Sequence, residues 1–221
     1  MTVHGLRFSG AADRRVDRQE ERPLYTRTMA IAYETESPHA PRWELGPYRE
    51  ADYMGLPDEP RCELLYGRLP LMPAPTVRHQ LVAMAIARVL EDFARQRGGY
   101  AVISPVDVML ADHSIVQPDV IYVSPKRARI VQERVEGAPD LVVEILSPGT
   151  ARRDLGDKLR LYAESGVAEY WIVDVNGETF TFLENTPTGF SVRLTEDGVY
   201  RSAGVEGLEL DLESFWRSVQ P

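Results

Sequence analysis

The chain has 221 residues, which is enough for one domain with a substantial core and a terminal extension but short for two full domains. Hydrophobic residues make up 43% and charged residues 27%, as in an ordinary globular protein. The formal net charge of −9 argues against a protein held to nucleic acid mainly by bulk positive charge. It does not exclude an enzyme whose clustered carboxylates hold a metal ion.

Targeting and redox features of the sequence favour a cytoplasmic protein. The chain contains no apolar run near the roughly 18 residues that a membrane span needs, and its N-terminus lacks the apolar segment of a secretory signal. Cys62 is the only cysteine, so a disulfide framework is excluded and a reducing compartment is expected. We interpret this thiol as a packing residue, because no histidine lies near it in the pattern of a cysteine hydrolase.

The first 42 residues differ in character from the rest of the chain. They are polar, rich in arginine and without sustained periodicity, which predicts a disordered or peripheral extension. Translation could start at Met29, a hypothesis that mass spectrometry of the native N-terminus tests. Residues 43–221 are expected to form a single domain.

Helices and strands are expected to alternate along this domain. A short helix is predicted around Tyr48–Leu56, and a tight β-hairpin over Cys62–Leu71. Thr76 is a suitable N-cap for a long helix that Gly98 and Gly99 end. The apolar positions of this helix fit a helical period: Leu81, Met84, Ala85, Val89 and Phe93.

The following segments predict short strands, a loop and a second helix. Strands are expected at residues 100–103, 106–110, 119–123, 141–146 and 170–174, with a loop at 124–137 and a helix at about 153–164. Asn176-Gly177 favours a type I′ turn into a strand at 179–183. The order predicts an α/β fold with a mixed central sheet flanked by helices, and an added β-hairpin region toward the C-terminus.

Two acidic residues lie in segments that are otherwise apolar. Glu144 interrupts the run LVVEIL, where alternation places it on one face with Val142 and Leu146. Asp119 begins the neighbouring apolar strand, directly after Pro118. A buried carboxylate without a partner costs several kcal/mol or more, so both residues need a cation, a proton or access to water. A divalent cation with oxygen ligands is the simplest solution.

Lys158 follows in the helix after Glu144. At about 100° per residue with Leu155 at zero, Lys158 falls near −60°, roughly beside Tyr162 and within the apolar arc. An inward lysine beside a buried glutamate suggests a site. An i,i+4 salt bridge to Asp154, or a lysine whose charged end reaches solvent, explains the same pattern, and the residues alone do not decide between them.

A longer string of residues carries a resemblance to a known family. The stretch from Pro139 to Asp174, PDLVVEILSPGTARRDLGDKLRLYAESGVAEYWIVD, resembles the diagnostic region of the Uma-two family of candidate bacterial restriction endonucleases, within the PD-(D/E)xK nuclease superfamily. Shorter family-like pieces occur in the expected order: ELLYGRL at 63–69, RHQ at 78–80, PVDV at 105–108 and QPD at 117–119. The resemblance covers about residues 48–183.

The resemblance implies a restriction-endonuclease-like fold and a set of site residues. Asp119 matches the aspartate of the "PD" half and Glu144 the acidic residue of the "(D/E)xK" half. The position two residues after Glu144 is Leu146 rather than lysine, and Lys158 on the following helix is implied as the replacement. An inactive relative would show the same departure at Leu146.

The implied activity is Mg²⁺-dependent hydrolysis of phosphodiester bonds in DNA, with Mn²⁺ as a substitute. Asp119, Glu144 and the backbone carbonyl of Ile145 would hold the metal, and Lys158 would orient the attacking water and offset transition-state charge. Glu63 is a candidate extra ligand, unless it is an exposed strand residue. His79 could contact the scissile phosphate or assist proton transfer, unless it only caps the helix or lies at the surface.

Other features of the sequence are less informative. Asp107 is family-like but interpreted as structural. A rim that follows the DNA phosphates could be formed by basic residues of the long helix and the loop, although a solvated surface explains most of them: Arg78, Arg88, Arg95, Arg97, Lys126, Arg127 and Arg129. The histidines show no zinc-binding spacing, and there is no nucleotide-binding or serine-hydrolase motif. A homodimer is raised only by analogy with other nucleases. The competing hypotheses are a catalytically inactive DNA- or protein-binding module and a purely structural acidic domain.

Overall fold

A mixed β-sheet forms the centre of the molecule in a computed structural model that describes residues 45–57, 59–147 and 151–219. In chain order the strands are β1 (Tyr100–Ile103), β2 (Val108–Ala111), β3 (Ser114–Val116), β4 (Val120–Val123), β5 (Val135–Glu136), β6 (Leu141–Ile145), β7 (Glu169–Asp174), β8 (Thr179–Thr186), β9 (Gly189–Arg193), β10 (Val199–Arg201) and β11 (Glu209–Asp211). The helices are α1 (Glu50–Met54), α2 (Val77–Arg97), α3 (Ala151–Asp154), α4 (Asp157–Ser165) and α5 (Leu212–Ser218), with a 3-10 helix at Pro125–Ile130.

The central sheet has the strand order β1-β4-β6-β7-β8-β9. β6 and β7 are parallel, and the other neighbouring pairs are antiparallel. β3, β2 and β5 form a small separate sheet, and β10 pairs with β11. The predicted α/β class, with a mixed sheet, flanking helices and hairpin strands toward the C-terminus, is confirmed. The predictions for residues 1–42, including a start at Met29, lie outside the described residues.

The two faces of the central sheet bury different layers. Leu141, Val143 and Ile145 of β6 belong to the core cluster that includes α2, α5 and the β10–β11 pair. Val142 belongs to the cluster on the other face, with Leu161 and Tyr162 of α4 and residues of the small sheet. Because side chains alternate along a strand, Glu144 faces α4 together with Val142.

α2 forms as predicted, and its buried face coincides with the predicted one only in part. The Thr76 side chain accepts the amide of His79 at 3.2 Å, and Gly98 ends the helix with a φ of +83°. Of the predicted apolar positions, Ala85, Val89 and Phe93 pack against the core, whereas Leu81 and Met84 are 49% and 45% exposed. The fully buried apolar side chains of the helix are Val82, Ala83, Ile86, Leu90 and Ala94. Alanines and aliphatic residues occur on both sides of this helix, so periodicity alone identified the inner side only in part.

The helix predicted at 153–164 is divided into α3 and α4. Gly156 precedes α4 with φ −127° and ψ −88°, outside helical geometry, and Leu155 is 54% exposed. α4 ends at Gly166 in the left-handed conformation, as expected. The assumption that Leu155 marks the apolar arc was therefore wrong, although Lys158 does point inward.

The hairpin after β7 is present, but the predicted type I′ turn is wrong. Asp174 pairs with Thr179, which leaves a four-residue loop. A type I′ turn needs positive φ at both central residues, whereas here Glu178 alone in the loop has positive φ. The Asp174 carboxylate accepts hydrogen bonds from the backbone amides of Asn176 and Gly177 at 2.9 and 3.2 Å, which stabilises the alternative loop.

The strands β3 and β5 also occur in segments predicted without strands.

No helix in the described ranges is both long enough and apolar enough to cross a membrane.

Cys62 is buried, and burial together with the nearby Glu63 and Asp107 raises the pKa of its thiol to about 11. A thiol with this pKa is protonated at neutral pH, as expected for a packing residue.

Candidate active site

The end of β6 opens onto a small cavity, which we call the acidic cavity. Its volume is about 80 Å³, and its lining includes Asp119, Glu144, Ile145, His79 and Lys158. These residues come from the segment before β4, the end of β6, the first turn of α2 and the first turn of α4. The fold thus brings together in one place the residues singled out from four separate parts of the sequence.

Glu144 is held on the α4 side of the sheet and is almost fully buried, with 4% of its surface exposed. Its Oε1 atom accepts hydrogen bonds from Lys158 Nζ at 2.7 Å and from the Tyr162 hydroxyl at 2.6 Å. Both donors reach the same oxygen, and neither contacts Oε2. Burial raises the pKa of Glu144 well above its ordinary value; Lys158 opposes this rise, and nearby acidic residues add to it.

Lys158 is 2% exposed and lies among three carboxylates. Its Nζ atom lies 2.7 Å from Glu144 Oε1, 2.8 Å from Glu63 Oε1 and 3.9 Å from Asp154 Oδ1. Burial alone would lower the pKa of Lys158, but the surrounding carboxylates raise it, so the ammonium group stays charged. The i,i+4 contact with Asp154 is the longest of the three, and the lysine does not extend to solvent.

Asp119 is tied directly to the backbone beside Glu144. Its Oδ2 atom accepts the amide of Ile145 at 2.7 Å, and Nε2 of His79 lies 3.3 Å from the same oxygen. The carboxylate is therefore fixed next to the residue that follows Glu144.

His79 lies inside the acidic cavity rather than at the surface. Burial lowers the pKa of its imidazole, but the hydrogen bond and the charge of Asp119, with a contact to the Ile145 backbone, outweigh burial and raise it. Nδ1 is buried and makes no hydrogen bond among the described residues. Thr76 fixes the start of α2 at the His79 amide, so the helix cap also positions this ring.

Glu63 is completely buried and contacts Lys158 rather than the cavity. Its Oε1 atom accepts Lys158 Nζ and the amide of Gln117 at 2.8 Å, and its Oε2 atom lies 3.6 Å from Arg153 Nη1. Among the described residues it is not part of the cavity lining. The alternative of an exposed strand residue does not apply, because none of its surface is accessible.

The other candidate residues lie away from the acidic cavity. Asp107 accepts hydrogen bonds from Tyr53 and Gln117 in a neighbouring region. Arg78 pairs with Glu178 on the surface. Arg95 and Arg127 make similar pairs with Glu91 and Asp140.

Sequence reasoning missed some residues of the site. Tyr162 lies four residues after Lys158 and binds the same glutamate. This spacing places both residues on one face of α4, which was the available signal. Arg61 and Arg153 line the cavity without a recognisable sequence signal.

Charged groups of both signs line the cavity. They are the carboxylates of Asp119, Glu144 and Asp154, the cations of Arg61, Arg153 and Lys158, and the imidazole of His79. Glu63 contacts Lys158 from outside this lining. The oxygen atoms of Asp119, Glu144 and the Ile145 backbone are the ligand type that Mg²⁺ prefers.

The residues of the cavity would suit a lightly ligated ion rather than an all-protein cage. No group of three or more His, Cys, Asp or Glu residues in the described part of the chain has the arrangement of a metal site. Mg²⁺ commonly binds through one or two carboxylates and keeps several waters or substrate oxygens. A cavity of about 80 Å³ has room for an ion with water. Asp119 and Glu144 are the side chains of this cavity that would hold such an ion.

The fold and the cavity define a restriction-endonuclease-like α/β protein. A family model described as "Putative restriction endonuclease" (Uma2) matches residues 49–219, and the chain belongs to this family. A crystal structure of a "putative nuclease belonging to DUF820" from Anabaena variabilis ATCC 29413 is similar, with a TM-score of 0.66 and 19% identity. The match covers 79% of this chain and 100% of that chain, and at this identity it shows the fold alone. No curated protein matches the chain.

Proposed function

We propose that the protein is a Mg²⁺-dependent endonuclease that hydrolyses phosphodiester bonds in DNA. The observation that carries the proposal is the contact of a buried lysine, Lys158, with Glu144 at the cavity that Asp119 also lines. A lysine next to two carboxylates is the combination of charge that phosphodiester hydrolysis uses. The family description supports a nuclease activity.

Asp119, Glu144 and the Ile145 carbonyl would hold the metal. When bound, Mg²⁺ polarises a phosphoryl oxygen and lowers the pKa of a coordinated water. Lys158 keeps its charge because three carboxylates surround it, and it can hold the attacking water or the developing negative charge on the phosphate. Glu63 and Gln117 limit the positions that the ammonium group can take.

His79 can donate a proton from Nδ1, because Nε2 is held by Asp119. The pKa of its imidazole is raised from the ordinary value, so the ring keeps its proton to a higher pH than a free histidine does. A protonated imidazole beside the scissile phosphate can neutralise a non-bridging oxygen or protonate the leaving oxygen. We propose this role for His79 in addition to its contact with Asp119.

Nicking of supercoiled plasmid DNA tests the proposal. With Mg²⁺ or Mn²⁺ the wild-type protein should convert supercoiled to open-circular DNA, and EDTA should stop the reaction. Glu144→Ala should lower the rate at least about 10³-fold, because it removes a group that acts together with the metal and Lys158. Circular dichroism and an unfolding curve should show that the variant remains folded.

Glu91→Ala is a matched control, because Glu91 lies on the exposed side of α2 and pairs with Arg95 at the surface. Its nicking rate should equal that of the wild type. If the folded wild-type protein cleaves no DNA with any divalent metal, the proposal is wrong. DNA binding that is unchanged in Glu144→Ala, without metal uptake, would instead indicate a catalytically inactive binding module.

A further inference from the structure

A second cavity lies beside the acidic cavity, and we call it the side cavity. Its volume is about 390 Å³, which is within the range of roughly 300–1,000 Å³ for small-molecule sites. Arg61 and Pro105 line both cavities, so the two adjoin at these residues. The acidic cavity is too small for a nucleotide, and the side cavity is not.

The walls of the side cavity combine apolar surface with a fixed polar group. Tyr53, Leu56 and Pro57 form one wall, and Asp107 and Gln117 lie on another. The Asp107 Oδ1 atom accepts the Tyr53 hydroxyl at 3.0 Å and Gln117 Nε2 at 2.8 Å. Both described bonds reach the same oxygen and neither contacts Oδ2. A carboxylate only accepts hydrogen bonds, so the cavity favours a ligand that donates one.

Arg61 supplies a positive charge at the boundary between the cavities. Its guanidinium group donates to Gln117 Oε1 at 2.6 Å and lies 3.5 Å from Ser104 Oγ, both neutral groups. Within the described ranges, no carboxylate lies within salt-bridge distance of Arg61. Arg61 lies between the two cavities and has no anionic partner among the described residues, so its guanidinium group can bind a phosphate.

We propose that the side cavity binds one nucleobase of the DNA strand, next to the phosphodiester in the acidic cavity. Asp107 accepts a hydrogen bond from the exocyclic amino group of that base, and Arg61 binds the adjoining phosphate. The ring of the base packs between Tyr53 and Pro105. Carboxylates read amino groups of bases in this way, and enzymes that act on nucleic acid place unstacked bases in such cavities. This inference rests on the proposed function and deepens it.

The proposal predicts a preference against thymine, because thymine has no amino group. In metal-free buffer, NMR titration with the four deoxynucleoside 5′-monophosphates should shift the amide signals of Asp107 and Gln117. dTMP should bind about tenfold more weakly than dCMP or dAMP. Asp107→Asn should remove this difference, since the amide can also donate to a thymine carbonyl while its oxygen keeps the contacts with Tyr53 and Gln117.

Two further variants keep the test decisive. Glu144→Gln changes the acidic cavity, and its nucleotide preference should equal that of the wild type. Met54→Trp adds bulk at the mouth of the side cavity, where Met54 is exposed, and should weaken all four nucleotides. Equal affinities for the four nucleotides, no binding, or a preference that persists in Asp107→Asn would each overturn the proposal.

The titration distinguishes a failure of this proposal from a failure of the proposed function. The titration needs neither metal nor cleavage, so a protein that nicks no DNA can still bind a nucleobase in the side cavity. If the wild type is active, sequencing of the cleaved ends should show thymine depleted at one position beside the cut. Cleavage without any base preference would leave the nuclease proposal standing and reject the side-cavity proposal.

Discussion

Two buried glutamates lie on the neighbouring strands β6 and β7 and have opposite surroundings. Glu169 on β7 accepts hydrogen bonds from Trp171 Nε1 and the Tyr200 hydroxyl, both at 2.5 Å. It also accepts from the Ser202 hydroxyl and from the Gly204 amide at 3.0 Å. All four donors are neutral. Glu144 on β6 has a charged partner, Lys158, and lines a cavity.

The difference shows how to distinguish a structural carboxylate from one available for chemistry. The hydrogen-bonding capacity of Glu169 is used by protein donors on both oxygens, so nothing further needs to bind. At Glu144, both described donors reach one oxygen and the residue borders a space that admits water or an ion. Burial alone does not separate the two, since both glutamates are almost inaccessible.

Among the variants that test the comparison of Glu144 with Glu169, Lys158→Met should lose the most stability and activity. The substitution leaves Glu144 buried without its cation and leaves Glu63 with only the more distant Arg153, and breaking a buried ion pair in this way costs about 3–5 kcal/mol of unfolding free energy. Urea denaturation measures the loss, and nicking activity should disappear with it. Lys126→Met, at an exposed position, is the control and should change stability by less than about 0.5 kcal/mol.

A double variant separates the structural effect of Lys158 from its chemical effect. Adding Glu63→Gln to Lys158→Met removes one of the two buried carboxylates that lose Lys158, so part of the stability should return. Nicking should not return, because the ammonium group is still missing. Recovery of activity together with stability would show that Lys158 only supports the fold.

The next effect is a contrast between Glu169→Gln and Glu144→Gln. In Glu169→Gln the new amide NH₂ group faces groups that are themselves hydrogen-bond donors. We therefore expect the free energy of unfolding to fall by about 2–3 kcal/mol. Metal binding and nicking should be retained. Glutamine at 144 keeps an oxygen for Lys158 and Tyr162 and removes a costly buried charge, so the loss should stay below about 1 kcal/mol.

Nicking and calorimetric metal binding complete this contrast. Glu144→Gln should lose both, although it is the more stable of the two variants. If Glu169→Gln abolished metal binding and Glu144→Gln did not, the assignment of roles to the two glutamates would be reversed.

A third, smaller effect concerns added metal. At ten times its dissociation constant, Mg²⁺ should raise the free energy of unfolding by about 1.4 kcal/mol in the wild type and in Glu169→Gln. Glu144→Gln should show no such increase. A similar increase in all three proteins would indicate that Mg²⁺ binds elsewhere on this acidic chain.

The sequence allowed the fold class and the main elements to be predicted because their signals are local. The Thr76 cap, the glycines after α2 and α4, and the apolar run of β6 each depend on neighbouring residues. The strand β5 was missed because it is two residues long and its partner β2 is distant in sequence, and β3 was missed because it has only three residues, although it pairs with β2 directly before it. The break at Gly156 was missed because a single glycine is compatible with a helix.

The candidate site was only partly accessible from sequence for the same reason. Glu144 could be recognised because a charge interrupts an apolar strand, and Lys158 because of its position on the helix. The contact of Glu63 with Lys158 joins residues 95 positions apart, and no local pattern encodes that distance. The side cavity likewise depends on how α1 packs against residues before β2 and β4.

The smallest expected effect belongs to the cap that positions His79. Thr76→Ala removes the side-chain acceptor of the His79 amide and should cost about 1 kcal/mol of unfolding free energy. Because the first turn of α2 then loosens, the imidazole should lose its fixed contact with Asp119, and the nicking rate should fall by a few-fold, about the effect of 1 kcal/mol. Thr76→Ser keeps the hydroxyl and should retain both properties. A Thr76→Ala variant with lower stability but an unchanged nicking rate would show that His79 has no part in the reaction, and the chemistry would then depend on Asp119, Glu144 and Lys158 alone.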